Sequence, residues 1–132
     1  IEILESVALN DVEQTRRLIL EIQQLGIDFS LDDFGTGYSS LKYLKRLPVN
    51  TLKIDQGFVR DMLEDRDDRA LVGAVIGLAS AFNRKVIAEG VETREHAELL
   101  LQMGCHHGQG YGIARPMPAN LVLEWANGFP LN

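Results

Sequence analysis

The sequence predicts an α/β fold of about five parallel strands alternating with helices. Four short hydrophobic stretches each end in carboxylates, at 1–5, 29–33, 51–55 and 86–89. Sequence with helical spacing separates them, and such alternation implies parallel pairing of the strands. A complete (β/α)8 barrel needs about 250 residues, whereas this chain has 132. The chain is therefore either a small open α/β sheet or the C-terminal portion of a (β/α)8 TIM-like barrel whose first strands are missing.

The first half of the chain is predicted to contain three strands and two helices. Asn10 can cap the first helix, with Glu13 three residues later as in a capping box. Gly26 can end that helix in a left-handed conformation, and Pro48 stops the second helix because a helix cannot continue through proline. The predicted elements are strand 1–5, helix 11–25, strand 27–31, helix 39–47 and strand 51–54.

The second half continues the same alternation. Acidic residues open a long helix, where they suit the positive end of the helix dipole. Thr93 can cap the next helix, which Gly104 ends, and Pro116 and Pro118 precede the last one. The predicted elements are helix 64–82, strand 85–88, helix 94–103, a strand-like segment 105–111 and helix 119–127.

Composition excludes several classes of protein. The formal net charge of −6 argues against non-specific binding to a nucleic-acid polymer, which needs a basic surface. Cys105 is the only cysteine, so there is no disulfide framework and no cysteine-based zinc site. The longest apolar helical stretch, 70–82, is too short to span a bilayer. A reducing cytosolic compartment fits this usage, and Ile1 is not a natural start, so an upstream segment is expected.

The pair Asp32-Asp33 is the sharpest chemical signal. Neighbouring residues on a strand point to opposite faces, so both can serve one site only where the strand ends. Adjacent carboxylates there suit a pair of metal ions, which lie about 3.5–4 Å apart in two-metal sites and clamp phosphoryl oxygens. The alternative is a solvated acidic turn with a helix cap.

Other polar residues follow the later strands. Lys53 and Asp55 should share one face of their strand, where the lysine can bind phosphate or hold a nucleophilic water; the alternative is an exposed ion pair. Glu89 is expected to point inward, with Gly90 allowing a sharp turn. Glu92 is expected to be a charge at the entry of a helix.

Several further motifs carry weaker signals. Gln109, before Gly110-Tyr111, can orient a water or a ligand, although a glycine turn beside a core tyrosine is an equal alternative. The segment Gly35-Thr36-Gly37 lacks the spacing of a P-loop and is interpreted as a hinged loop. Cys105-His106-His107 is interpreted as structural, because adjacent histidines on a strand face opposite sides. His96 is expected to be exposed on a helix.

Five motifs, in order along the chain, carry a specific resemblance. They are Glu2-x-x-Glu5-Ser6, Asp32-Asp33-Phe34-Gly35-Thr36-Gly37-Tyr38-Ser39-Ser40-Leu41, Leu52-Lys53-Ile54-Asp55, Glu89-Gly90-Val91-Glu92 and Gln109-Gly110-Tyr111. Together they resemble the EAL domain, a family that hydrolyses the bacterial second messenger cyclic di-GMP. The resemblance implies a modified (β/α)8 barrel with metals and substrate at the C-terminal ends of the strands.

The resemblance also implies roles for particular residues. The implied metal ligands are Glu2, Asp32, Asp33 and Glu89, for a site that holds two Mg²⁺ or Mn²⁺ ions. Lys53 matches the lysine near the attacking water, and Gln109 matches the site glutamine of the last strand; with Asp32, Asp33 and Glu89 these form the implied catalytic set. Glu5 matches the glutamate that steadies the Asp-Asp-Phe-Gly-Thr-Gly loop. Asp55 and Glu92 match supportive acids.

The chain departs from the family pattern in two respects. Leu4 stands where threonine is common. The Glu-Ala-Leu signature, whose glutamate binds metal, and a contributing asparagine lie upstream of Ile1, so residues 1–132 are predicted to be the C-terminal part of the domain.

The resemblance predicts metal-dependent hydrolysis of cyclic di-GMP to linear pGpG by the intact domain, with this fragment alone inactive. The alternatives are a receptor that binds cyclic di-GMP without cleaving it, and an inactive fragment that self-associates through exposed strand edges. The expected partners are cyclic di-GMP, a second copy that pairs through residues 35–47, and fused upstream sensory or GGDEF-type domains. The expected location is the bacterial cytoplasm, including as the cytoplasmic part of a membrane-bound protein.

Overall fold

Five parallel strands form a single sheet, ordered as they occur along the chain, in a computed structural model that describes residues 1–36 and 41–130. The strands are β1 (Glu2–Leu4), β2 (Ser30–Phe34), β3 (Thr51–Ile54), β4 (Lys85–Glu89) and β5 (Gly108–Gln109). Each strand pairs in parallel with the next. The predicted α/β alternation is confirmed.

Seven helices connect and flank these strands among the described residues. They are α1 (Glu5–Asn10), α2 (Val12–Gln23), α3 (Leu41–Arg46), α4 (Gln56–Asp61), α5 (Arg66–Ala81), α6 (Arg94–Gln102) and α7 (Ala119–Gly128). None of them is long and apolar enough to cross a membrane.

The core lies between the sheet and the helices that cover it. Helix α5 buries Val72, Val75, Ile76 and Ala79, a spacing that places all four on one helical face. Strand β3 is buried from Leu52 to Ile54, because α5 packs against it as well as against β4. This is the pattern of a parallel sheet, whose strands are covered and therefore apolar.

Local side-chain chemistry starts the helices where the sequence allows a cap. The Asp65 carboxylate accepts the backbone N–H groups of Asp67 and Asp68 at 2.8 and 3.2 Å, which starts α5. Thr93 Oγ1 accepts the backbone N–H of His96 at 3.3 Å, as predicted for α6. The predictions for β3, β4, α5, α6 and α7 are confirmed to within about two residues, the usual uncertainty of element ends.

The predicted cap at Asn10 is wrong. Asn10 is the last residue of the short helix α1, and Asp11 caps α2 instead, with its carboxylate accepting the backbone N–H of Gln14 at 3.0 Å. Two helices, α1 and α4, were not predicted, because six residues are too few to show a helical period. The predicted start of the second helix at Ser39 lies outside the described residues.

Two strands differ from their predicted bounds. Strand β2 begins at Ser30 rather than 27, because the Asn50 side chain accepts the Phe29 N–H at 3.0 Å and so replaces a ladder bond. Strand β5 covers only Gly108–Gln109 because the chain then turns, with Gly112 donating to the Val91 carbonyl at 2.9 Å.

Gly110 is predicted to be intolerant of any side chain. A Cβ at this position would lie 2.3 Å from the Val91 carbonyl oxygen, whereas a Cβ on Gly77 of α5 would meet nothing within 4 Å. We expect Gly110→Ala to lower the free energy of unfolding by about 1–3 kcal/mol through overpacking. The matched control Gly77→Ala should raise it by about 0.5–1 kcal/mol through the gain in helix propensity. Urea unfolding of both variants measures this, and equal stabilities would contradict the close approach.

Candidate metal centre

Three carboxylates meet at the C-terminal ends of β2 and β4. Asp32, Asp33 and Glu89 each offer one oxygen, and these oxygens all lie within 4.8 Å of one another. Parallel strands bring their C-terminal ends to one edge of the sheet, which is why residues 57 positions apart become neighbours. Carboxylate oxygens are the ligands preferred by hard divalent cations such as Mg²⁺ and Mn²⁺, so this donor set fits such ions.

The backbone at Asp33 brings two adjacent aspartates to one side of the sheet. Asp33 has a φ of +55°, in the left-handed region that few residues other than glycine, asparagine and aspartate adopt. The register between β2 and β3 also shifts between Leu31 and Phe34. The Asp32 carboxylate accepts the Asp33 N–H at 2.9 Å, which stabilises this turn of the chain. The alternation of a regular strand is broken here, so both carboxylates can serve one site.

Lys53 places a positive charge in the middle of these acids. Its ammonium nitrogen lies 2.5 Å from Glu2 Oε1 and 2.7 Å from Glu89 Oε1, and its side chain is only 5% exposed. Burial by itself would lower the pKa of Lys53, but the hydrogen bonds to Glu2 and Glu89 outweigh this and raise the pKa to about 12. Lys53 is therefore protonated at neutral pH and acts as a donor, not as a base. The alternative of an exposed ion pair is excluded.

Two acids of the cluster, Asp33 and Glu89, have a raised pKa. Burial raises the pKa of Asp33, and the neighbouring charges of Asp32 and Asp55 raise it further. Burial also raises the pKa of Glu89, with Lys53 opposing the rise and Asp32 adding to it. Like charges held this close disfavour ionisation, and a bound cation would relieve the repulsion.

The other predicted site residues lie around this cluster. Asp55 caps α4 by accepting the Gly57 N–H at 2.9 Å, and its carboxyl group reaches that of Asp33. The buried Glu5 accepts the Gly35 N–H at 3.1 Å, so it contacts the loop that it was predicted to steady. Residues Gly37–Ser40 of that motif lie outside the described residues.

Three predicted site residues do not belong to the group of Asp32, Asp33 and Glu89 that is found among the described residues. Glu2 is the first residue of β1, and its carboxylate forms an ion pair with Lys53. Gln109 lies on β5 opposite Glu89 in the register, with its side chain exposed. Glu92 is exposed between β4 and α6. Gly90 has a φ of +74°, which confirms the predicted sharp turn after Glu89.

The prediction that His96 is exposed is wrong. The residue is 5% exposed; its Nε2 lies 3.0 Å from the Arg60 carbonyl and its Nδ1 lies 2.7 Å from Thr93 Oγ1. A carbonyl only accepts, so Nε2 carries the proton and Nδ1 accepts from the Thr93 hydroxyl. His96 thus joins the start of α6 to the end of α4. The available signal was its position four residues before the apolar Leu100, which places both residues on one face of α6.

The comparisons with known proteins identify the family. A family model described as the EAL domain matches residues 1–116. The chain belongs to the EAL domain family. It is 46% identical over 123 residues to the bifunctional diguanylate cyclase/cyclic di-GMP phosphodiesterase MucR of Pseudomonas aeruginosa, covering 93% of this chain and 18% of MucR.

Solved structures of EAL proteins share the fold. The MucR phosphodiesterase in complex with c-di-GMP matches with a TM-score of 0.87 at 45% identity, covering 92% of this chain and 49% of that one. The EAL domain of Mycobacterium smegmatis DcpA matches with a TM-score of 0.86 at 43% identity, covering 98% and 58%. A manganese/cy-diGMP complex of Klebsiella pneumoniae BlrP1 matches with a TM-score of 0.81 at 33% identity, covering 88% and 30%.

These matches decide between the two architectures left open by the sequence. The five strands correspond to part of the TIM-barrel-like fold of EAL proteins, not to an unrelated open sheet. The chain spans about half the length of these two solved relatives and about a fifth of the length of MucR.

Neutralising Asp33 is expected to stabilise the metal-free fold. Because the pKa of Asp33 is raised on folding, its charge destabilises the fold above that pKa, and the penalty disappears as the pH falls below the unfolded value. Asp33→Asn removes the charge and keeps a residue that tolerates positive φ. We expect a higher melting temperature at pH 7 in EDTA and a flatter dependence on pH between 4 and 7. The control is Asp28→Asn on an exposed residue; equal melting temperatures for the two variants would contradict the repulsion.

Replacing His96 by leucine is expected to destabilise the fold. Leucine has a similar volume but leaves the Arg60 carbonyl and the Thr93 hydroxyl without their partner, which costs about 1–3 kcal/mol. His96→Gln should recover part of this loss, since its amide can donate to the carbonyl. Urea unfolding measures both variants, and a leucine variant as stable as the wild type would refute the tie between α4 and α6.

Proposed function

We propose that the protein to which this chain belongs hydrolyses cyclic di-GMP to linear pGpG, using two Mg²⁺ or Mn²⁺ ions. The observation that carries the proposal is the group of Asp32, Asp33 and Glu89, with oxygens within 4.8 Å of one another beside a buried lysine. Residues 1–132 supply the C-terminal part of the domain, and the chain covers about half of the solved relatives. The rest of the barrel is needed for a complete site.

The names of the relatives support the substrate and the metal. MucR is named as a cyclic di-GMP phosphodiesterase and was solved with c-di-GMP, and BlrP1 was solved with manganese and cy-diGMP. The MucR phosphodiesterase and this chain share 45% sequence identity over 92% of this chain. The donor set of this chain is made of hard oxygen ligands, which agrees with manganese or magnesium rather than a thiolate-bound metal.

Each residue of the cluster has a definite task in this proposal. Asp32, Asp33 and Glu89 would hold the cations, and Glu2 on β1 would be a further ligand. When bound, divalent ions lower the pKa of a coordinated water and offset the charge that develops on phosphoryl oxygens. Asp55 and Glu5 hold the Asp33 side chain and the Gly35 backbone in place, while Glu92 and Gln109 lie at the rim.

Lys53 has a task that follows from its charge. Two of its three N–H donors are engaged by Glu2 and Glu89, which leaves one donor for a water or a phosphoryl oxygen. Because its pKa is about 12, Lys53 orients the attacking water by donating a hydrogen bond and does not remove its proton. The carboxylates of the cluster are the groups that can accept that proton.

A homodimer through residues 35–47 remains part of the proposal. Of this region the structure describes Gly35, Thr36 and α3, where Arg46 forms an ion pair with Glu13 of α2. Fusion to further domains is also proposed, in line with the bifunctional name of MucR and the small share of MucR that the chain covers.

Asp32→Asn in the full-length protein is expected to abolish most of the turnover. The substitution removes one anionic ligand but keeps the size of the side chain, so we expect kcat to fall by about two to three orders of magnitude with the melting temperature little changed. The measurement is release of pGpG from cyclic di-GMP in Mn²⁺, with EDTA as the metal-free condition and Asp28→Asn as the matched control.

Three outcomes of this assay separate the hypotheses. Metal-dependent release that Asp32→Asn removes supports the phosphodiesterase. Turnover that survives Asp32→Asn in a folded protein refutes the metal assignment. Calorimetric binding of cyclic di-GMP without hydrolysis in Mn²⁺ would establish the receptor instead.

A further inference from the structure

A cavity lies at the opposite end of the sheet from the carboxylate cluster. It has a volume of about 310 Å³, is open to solvent, and is bounded by the C-terminal part of α5, the start of β4 and the segment 104–107. Residues Lys85 and Glu89 bound the two ends of β4, and at about 3.3 Å per residue their Cα atoms lie ~13 Å apart. The cavity therefore shares no residue with the candidate metal centre.

The lining of this cavity is basic in an acidic chain. Arg84, Lys85, His106 and His107 line it, and no aspartate or glutamate is among its lining residues. The chain as a whole carries a net charge of −6. In the part of the chain that the structure describes, neither Arg84 nor Lys85 takes part in an ion pair. Two cations without a neutralising acid in the lining, beside two imidazoles that can donate N–H groups, are a complement for an anion.

Several N–H donors of the Arg84 guanidinium form no hydrogen bond among the described residues. Its Nη2 donates to the Leu47 carbonyl at 3.4 Å, whereas its Nε is buried and has no hydrogen-bond partner. A buried donor left unpaired costs about 1–3 kcal/mol, and a guanidinium fork matches the geometry of phosphate oxygens. The Nε atom is itself shielded from solvent, so an anion in the cavity would meet the guanidinium Nη donors that the Leu47 carbonyl leaves free.

A purely structural explanation of these cations is weaker. Basic residues near the C-terminus of a helix can satisfy its last carbonyls. Here the α5 carbonyls of Ala79 and Ser80 already accept the backbone N–H groups of Arg84 and Asn83, at 2.7 and 3.1 Å. Among the described residues, the Arg84 side chain donates its one hydrogen bond to the Leu47 carbonyl, outside that helix.

We propose that this cavity binds the phosphate group of a small organic molecule. Arg84 and Lys85 would contact the phosphate oxygens, with His106 and His107 as further donors. Ile76, Ala79 and Val86 form an apolar wall of the same cavity, which an organic group can use and inorganic phosphate cannot. The inference explains the His-His pair, which the metal centre does not use, and it does not depend on the proposed phosphodiesterase activity.

The test is titration of the full-length protein, in EDTA, with inorganic phosphate and with adenosine monophosphate, followed by ³¹P NMR. Without metal the carboxylate cluster repels anions, which disfavours binding of either ligand at the candidate metal centre. We expect saturable binding with a dissociation constant of about 1–10 mM or tighter. Tighter binding of the nucleotide than of phosphate supports an organic ligand, whereas equal binding overturns that part of the proposal and leaves a site for free phosphate.

Single substitutions test whether the binding measured by ³¹P NMR takes place in this cavity. Lys85 is exposed, so the Lys85→Gln variant should fold normally. Lys85→Gln and Arg84→Gln should each weaken ligand binding about tenfold or more. Arg17→Gln on α2, an exposed cation that does not line the cavity, should leave binding unchanged. The absence of saturable binding, or binding that neither Arg84→Gln nor Lys85→Gln weakens, overturns the proposal.

Discussion

The Lys53 ammonium is the interaction on which the candidate site depends. It is almost fully buried, and a buried charge is tolerated only when it is paired and hydrogen-bonded. Glu2 from β1 and Glu89 from β4 provide that pairing, so one side chain on β3 joins strands from both flanks of the sheet. The arrangement also lowers the repulsion between Glu89 and Asp32. Removing Lys53 would leave Glu2, Asp32 and Glu89 without the positively charged side chain that offsets their repulsion.

The carboxylates of the site repel one another, and contacts with the surrounding fold keep them close together. Asp33 has a left-handed backbone, and its burial together with two neighbouring carboxylates raises its pKa. The chain around it is fixed by local contacts: Asp55 caps α4, Glu5 accepts the Gly35 N–H, and Gly90 comes so close to α4 that a Cβ there would lie 2.8 Å from the Cβ of Gln56. Strained geometry and clustered like charges are typical of functional sites. The same features make the metal-free protein less stable than its fold would otherwise be.

The two ends of the sheet differ in charge in a way that follows from topology. The C-terminal ends collect carboxylates, whereas the cavity at the start of β4 collects Arg84, Lys85 and the histidines 106 and 107. Parallel strands make this separation possible, because every strand presents its start at one edge and its end at the other. A residue's position along its strand therefore decides which of the two chemical environments it enters.

The sequence alone determined the class of the fold, the helices and strands long enough to show a period, and the acids that gather at the strand ends. These follow from alternation, spacing and caps such as Thr93, which are local properties of the chain. Only the tertiary structure decided the rest. The six-residue helices α1 and α4 are too short to show a period, and the late start of β2 depends on a contact with the distant Asn50. The burial of His96 depends on the Arg60 carbonyl, and the pairing of Lys53 depends on Glu2, 51 residues away. Sequence periodicity cannot reveal such partners, because it records which face a residue occupies and not which distant group meets it there.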